Sequence, residues 1–312
     1  MKRRDFVVGT MTAGAAGLAG RGLARPLAGA LARSLDPGAP DIAVVEGRDY
    51  VKSALAAVGL LGGMGRFVSK GARVAILPNT QSHHPGTFTK PEIVRAVIRM
   101  CHEAGAREIN CLSWLPEKFW EATGLAGVVR EEGARLSIVD LKDESMFKAV
   151  ALPKGKALRE AKIMSALYEN DAFINLPICK DHVGNKFTGT MKNLMGLNFA
   201  GLNRTFHSAD PKARPDDIDH LDQCIADLNL AVAPTLCVVD ATEFIVTNGP
   251  FGPGQLAAPR KIVAGVDRIA VDSYCVALRG LKPEDVLMIK KGHEHGLGEI
   301  DLRMVRIEER IA

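Results

Sequence analysis

Short apolar runs alternate with longer stretches in which apolar residues recur every three to four positions. Residues 42–46, 73–77, 108–112, 136–140, 172–177, 236–240 and 261–265 are runs rich in Val, Ile, Leu, Ala and Cys, set off by nearby Gly, Pro or Asn. Runs of this length and composition suit strands buried on both faces of a parallel sheet. Between them, residues 50–67 read as an apolar helix ending in glycines, and a second helix starts near Lys90 and stops at Gly105. In the second, Ile93, Val94, Val97, Ile98 and Cys101 share one stripe, Pro91 sits at an early helical position and Glu92 in the first turn. Residues 117–132 and 158–167 also read as helical, and 149–153 as an edge strand. Strand and helix alternate throughout, so the expected fold is α/β with mainly parallel sheet(s) and flanking helices, in two lobes of about 41–150 and 151–312. No repeat at solenoid spacing occurs.

The first residues follow a different pattern. Met1-Lys2-Arg3-Arg4-Asp5-Phe6 leads into an apolar segment to Gly20, too short and glycine-rich for a spanning helix of ~20 residues. Arg21 and Arg25 follow it. Ala30-Leu31-Ala32 offers a small-x-small cleavage site before Arg33, with Ala28-Gly29-Ala30 as a second choice. Paired arginine, apolar core and cleavage site in that order look like a twin-arginine signal over residues 1–32, with a breaker-rich linker over 33–40. The expectation is a folded, exported, periplasmic protein handed to the twin-arginine translocase, with no other membrane span.

The charge balance changes with that reading. The chain has a formal net charge of +4. Residues 1–33 hold Lys2, Arg3, Arg4, Arg21, Arg25 and Arg33 against Asp5, a net +5, so the remainder stands at −1. With few aromatics and no basic stripe, nucleic acid is not an expected partner. Cys101, Cys111, Cys179, Cys224, Cys237 and Cys275 are scattered singly in apolar contexts, with no C-x-x-C, so neither a zinc ribbon nor an iron–sulfur cluster is indicated. They read as small core residues.

In a parallel sheet, ligands bind beyond the carboxyl ends of the strands. The loop after residues 172–177 is the most polar in the chain and carries Lys180, His182, Thr188, Lys192 and Asn193. Its later half reads as the opening of a helix whose free amides would favour an anion. Lys180, His182 and Lys192 are the candidate catalytic groups, and Thr188 and Asn193 candidate ligand contacts. The loop after 73–77 adds Asn79, Ser82, His83 and His84. Adjacent imidazoles can ligate a metal, act as acid and base, or hydrogen-bond a ligand or the loop itself. After 236–240, Asp240 is placed to orient a lysine or histidine or to cap a helix, and Asn248-Gly249-Pro250 and Gly252-Pro253-Gly254 mark turns that bring backbone close to another segment or a ligand. Capping accounts for Asp267. His207, His220, His293 and His295 fall outside this candidate core. No G-x-G-x-x-G or P-loop pattern follows a strand.

Taken in order, Leu176-Pro177 with Lys180, His182, Thr188, Gly189, Lys192, Asn193 and Gly196, then Asp240, Gly249-Pro250, Gly254, Gly265-x-Asp267, Asp272 and Gly296-Leu297-Gly298, resemble the family called domain of unknown function 362. The resemblance runs from about Ile42 to Ile307. It departs at Leu77, where many relatives carry a lysine, and in having no ferredoxin module. The family is distantly similar to the amino-terminal part of nickel-dependent lactate racemase, an α/β enzyme with a nucleotide-derived nickel cofactor. That similarity implies a metal or nickel-nucleotide type cofactor, and His83, His182, Lys180 and Lys192 as contacts to cofactor and substrate. Two functions follow as expectations: an enzyme acting on a small carboxylate or phosphorylated compound, or a non-catalytic binding protein or partner subunit of an exported redox complex.

Overall fold

The computed structural model describes residues 39–208 and 217–312. The signal expected over 1–32 and all but the end of the linker expected over 33–40 lie outside those residues. In chain order the strands are β1 (Ile42–Glu46), β2 (Arg73–Pro78), β3 (Glu108–Ser113), β4 (Arg135–Ile138), β5 (Phe147–Ala151), β6 (Glu160–Met164), β7 (Ala172–Leu176), β8 (Leu236–Ala241), β9 (Phe244–Ile245), β10 (Leu256–Ala257), β11 (Lys261–Gly265) and β12 (Ile307–Ile311). The helices are α1 (Tyr50–Leu60), α2 (Pro91–Glu103), α3 (Glu117–Ala122), α4 (Leu125–Glu131), α5 (Thr190–Asn193), α6 (Ala200–Phe206), α7 (Ile218–Leu228), α8 (Arg268–Leu278) and α9 (Leu287–Glu294).

Eight strands form one sheet in the order β12-β1-β11-β8-β7-β2-β3-β4. Neighbours are parallel except where β11 runs against both β1 and β8. Successive side chains of a strand point to opposite faces, which divides the core in two. Val44, Leu77 and Val239 pack with α7, α8 and α9 on one face. Val45, Ile76 and Val238 pack under α1, α2 and α4 on the other. The fold is therefore a mostly parallel sheet covered by helices on both sides. The stripe predicted on α2 is buried in full, and Pro91 occupies its first turn with Glu92. All six cysteines are buried and unpaired. Among the described residues no helix is long and apolar enough to cross a membrane.

Three local expectations are corrected, and one strand is added. Residues 158–167 form no α-helix: β6 pairs antiparallel with β5, matching Phe147 to Met164 and Ala151 to Glu160, and only a 3-10 turn over Ser165–Glu169 follows it. A short apolar run fits either state by periodicity, and pairing with a neighbouring strand decides it. The helix expected over 50–67 ends at Leu60, because Gly62 and Gly63 adopt left-handed backbone with φ of +97° and +81°. The helix expected over 117–132 breaks into α3 and α4 at Gly124, with φ of +78°. β12 was not expected, and it adds a parallel edge beside β1.

The strand order places the site. From β2 the chain steps outward to β3 and β4, then returns to lay β7 on the other side of β2 and β8 beyond it. Loops leaving the carboxyl ends of β2 and β7 therefore diverge, and a crevice opens between them.

Candidate functional site

After β7 the chain follows β8 a little further, with Cys179 N donating to Asp240 O at 2.9 Å and Asp240 N to Pro177 O at 2.9 Å. It then forms a small hairpin in which Lys180 N donates to Thr188 O at 3.2 Å and Thr188 N to Lys180 O at 2.9 Å. Gly184 and Lys186 take left-handed backbone at its tip, with φ of +83° and +65°. The Arg279 guanidinium anchors it, pairing with Asp181 at 2.7 Å and donating to Lys186 O. Asp181 also accepts from Gly249 N at 2.9 Å, and Val183 N donates to Gly249 O at 3.1 Å. A side chain at Gly249 would run into the Asp181 carbonyl. The glycine-proline turns thus close on a neighbouring segment, and they fix the position of His182.

Beneath the hairpin lies a chain of buried polar groups. Lys180 is fully buried, and its Nζ donates to Thr87 O at 2.7 Å and to Asn79 Oδ1 at 3.2 Å. Asn79 Nδ2 donates to Asn193 Oδ1 at 3.1 Å, and Asn193 Nδ2 to Asn175 Oδ1 at 2.9 Å and Leu77 O at 3.0 Å. Asn175 Nδ2 donates to Thr190 O at 2.8 Å. The amides of Thr190 and Met191, which open α5, donate to the two carboxylate oxygens of buried Asp272 at 2.6 and 3.0 Å. The sequence suggested that these amides would receive an anion. They are already taken, and α5 is a single turn.

A cavity of about 400 Å³ opens at the switch point. Leu77, Pro78 and Asn79 line it from β2, Leu112 to Leu115 from β3, and His182, Val183, Thr188, Lys192 and Asn193 from the chain after β7. His207, Pro250 and Phe251 complete its rim. Among the described residues none that lines it is acidic, and Lys192 is the one Lys or Arg. Its Nζ donates to Asn185 Oδ1 at 2.9 Å, and Asn185 Nδ2 donates to buried Asp222. An amide therefore separates the ammonium from the nearest carboxylate. The Thr188 hydroxyl and the Trp114 indole N–H are buried with no hydrogen-bond partner, and both residues line the cavity.

Burial dominates the electrostatics. It pushes the Lys180 amine down to about 7, with the Lys192 charge adding to the effect. Lys192 falls to about 8, held up in part by Asp222. Asp222 rises to about 6 through burial, opposed by its bond from Asn185 and by Lys192. His182 is half-buried, and desolvation with the charge of Lys192 lowers it to about 3, so its imidazole is neutral near pH 7. Its Nδ1 lies 2.6 Å from Val183 O. A neutral ring beside a carbonyl must place its proton on Nδ1, which leaves the Nε2 lone pair available to accept a proton.

Of the residues singled out in the sequence, Asn79, His182, Thr188, Lys192 and Asn193 line the cavity, and Lys180 lies directly behind Asn79. Ser82, His83 and Asp240 do not line it. Ser82 Oγ donates to Phe251 O at 2.7 Å, tying the first loop to the rim. His83 is exposed, its ring 4.6 Å from that of His84. Asp240 is fully buried and accepts from Lys90 N at 2.9 Å, at the start of α2, and from Thr242 N and Oγ1 at 3.0 and 2.6 Å. It holds backbone and a hydroxyl in place of a lysine or histidine side chain. Asp267 caps α8, accepting from Ile269 N and Ala270 N at 3.0 Å. Among the described residues no group of three or more His, Cys, Asp or Glu converges to hold a metal ion, so a metal bound by the protein's own side chains does not fit them.

Asn175, Asn185, Asp222 and Trp114 belong to the site and were missed. Asn175 carried a signal, being an amide inside the apolar run of β7. Asp222 carried little: α7 has several carboxylates, and nothing local shows which one faces inward.

Fold and cavity together define an α/β protein with a pocket at the switch point of its sheet and a buried lysine, Lys192, in the wall. Residues 74–277 match the model of the family described as Domain of unknown function (DUF362), and the chain belongs to that family. It is 27% identical over 235 residues to the thylakoid-associated protein sll1697 of Synechocystis sp. (strain ATCC 27184 / PCC 6803 / Kazusa), a match covering 72% of this chain and 68% of that protein. The lactate racemase apoprotein from Thermoanaerobacterium thermosaccharolyticum aligns with a TM-score of 0.43 at 15% identity, over 69% of this chain and 54% of that one. The chain thus spans little more than half of that structure.

Proposed function

We propose that the protein binds a small anionic organic molecule, a carboxylate or a phosphorylated compound, in the switch-point cavity and acts on it as an acid–base enzyme. Lys192 receives the anion, Thr188 supplies a hydroxyl, and neutral His182 offers Nε2 as the acceptor, a weak base until a bound anion offsets the Lys192 charge that helps to lower it. Lys180 sits behind Asn79 and adds positive potential from below. The observation that carries this reading is the charge of the wall: a buried ammonium with no acidic residue beside it among the described residues that line the cavity. Leaving a cation in low dielectric is costly unless a counter-charge arrives, and a ligand anion supplies one. A nucleotide-derived cofactor enters only as a phosphate-bearing guest of the same cavity, and no step runs through a metal.

The pH dependence tests it. Lys192 is lowered from 10.5 to about 8 in the free protein, so its charged form prevails below that value and is lost above it. A bound anion stabilises the charge and raises the value in the complex, so affinity falls from about pH 8, the value in the free protein, up to the raised value of the complex. Calorimetric titration with sulfate, which does not itself titrate in this range, is expected to show affinity that weakens modestly between pH 6 and 7.5, as Asp222 gains its charge and Lys180 loses its own. Above pH 8 the affinity falls, approaching about tenfold per unit. Affinity that is flat or rising up to pH 10 rejects Lys192 as the anion's partner.

We infer further that residues 1–32 direct the folded chain through the twin-arginine translocase to the periplasm. The support is the order of paired arginine, apolar core and small-residue cleavage site. Fused to a reporter, this segment is expected to export it, and Arg3→Lys with Arg4→Lys to keep it in the cytoplasm. Export that survives the double substitution sends the reading to another route.

A further inference from the structure

We propose that the cavity takes an amphipathic anion: one phosphate or carboxylate head carried on an apolar body, with the head toward Lys192 and the body along the β3 side. This rests on the anion-binding reading above and names the class of its ligand.

The cavity is polarised across the sheet. On the chain after β7 it presents His182, Thr188, Lys192 and Asn193 beside Val183 and Met195, and on the β3 side Leu112, Trp114 and Leu115 around Ser113, so its charged and titratable groups stand on one side only. The strand order β7-β2-β3 keeps the two sides apart. A volume of about 400 Å³ falls among cavities that hold organic ligands, roughly 300–1,000 Å³. An inorganic anion at Lys192 would leave most of it as water against apolar walls, where burial of hydrocarbon is favourable.

The rim adds apolar surface at the mouth, outside the polar groups of the chain after β7. Val183 is 74% exposed and Phe251 53% exposed, and both line the cavity. Scattered exposed apolar residues are ordinary on a protein surface. These two are held at one mouth by named bonds. Val183 N donates to Gly249 O at 3.1 Å, and the Phe251 carbonyl accepts from Ser82 Oγ at 2.7 Å. Their loops are thus tied to each other and to the loop after β2. A ligand body leaving the cavity would cover both side chains, while its head meets the ammonium and the unpartnered Thr188 hydroxyl.

The experiment is a calorimetric series at pH 7 with inorganic phosphate and methyl, butyl, hexyl and octyl phosphate, with acetate and the matching n-alkyl carboxylates run in parallel. Each buried methylene contributes about 0.8 kcal/mol, so affinity should rise by about fourfold per methylene until the mouth is passed. A rise in either series supports the proposal and shows which head is taken. Phe251→Ser is expected to reduce the gain for the longest chains, whereas Lys192→Met weakens every member alike. A flat series in which phosphate or acetate still binds overturns the amphipathic ligand and leaves the anion reading standing. If no member of either series binds, both fall together.

Discussion

The Lys192→Met variant is expected to bind phosphate about ten- to a hundredfold more weakly than the natural protein while keeping its fold. A hydrogen bond to a buried charged group is worth about 1.5–3 kcal/mol, which sets that range. Methionine has similar length and no charge. It leaves Asn185 Oδ1 without its donor at 2.9 Å, a loss of about 1–3 kcal/mol. Against this, the native ammonium is held from 10.5 down to about 8, which corresponds to roughly 3 kcal/mol against the charged form. The two effects offset each other, so the melting temperature at pH 7 should move little. Calorimetry and thermal melting separate the outcomes, and unchanged phosphate affinity in a folded variant would remove Lys192 from the site.

Asp272→Ala is expected to be the most destabilising single change near the cavity. Its oxygens accept from Thr190 N and Met191 N at 2.6 and 3.0 Å, and both the carboxylate and its donors are buried. Removing it strands two amide protons at about 1–3 kcal/mol each, or about 2–6 kcal/mol together; burial raises the Asp272 carboxyl to about 7, so the full cost shows at about pH 4, where melting is measured, and is partly offset at pH 7. At ~2–4 °C per kcal/mol for a domain of this size, the melting temperature should drop by roughly 5–20 °C. Asp272→Asn should fall between, since one oxygen remains while its new N–H₂ confronts an amide donor. A melting temperature within 2 °C of the natural protein for the alanine variant would mean that the start of α5 is held by other contacts.

The strands were readable because strands buried on both faces show as unbroken apolar runs, and β2, β7 and β8 are of that kind. β12 was not, because Glu308, Glu309 and Arg310 interrupt it and only one edge is paired. Residues 158–167 misled because a run such as Ala161-Lys162-Ile163-Met164 satisfies either period, and the deciding partner, β5, acts through pairing rather than local sequence. The polar side of the cavity was readable as a cluster, since His182, Thr188, Lys192 and Asn193 lie close together in sequence. Its apolar side was not. Trp114 and Phe251 meet that cluster only because β3 lies beside β2, and because the loop after β9 is hydrogen-bonded to the hairpin through Gly249.

The polar chain from Lys180 through Asn79, Asn193 and Asn175 to the Thr190 carbonyl has a direction. The Lys180 amine donates at one end, and at the other the carbonyls of Leu77 and Thr190, which can only accept, fix the amides of Asn193 and Asn175. Reversing any one amide would set donor against donor on one side and acceptor against acceptor on the other. All three carboxamides are therefore fixed by their ends, and the floor of the cavity has one arrangement where a switch would need two. Any movement that accompanies ligand entry has to come from the 180–188 hairpin and the rim, over a base that stays as it is.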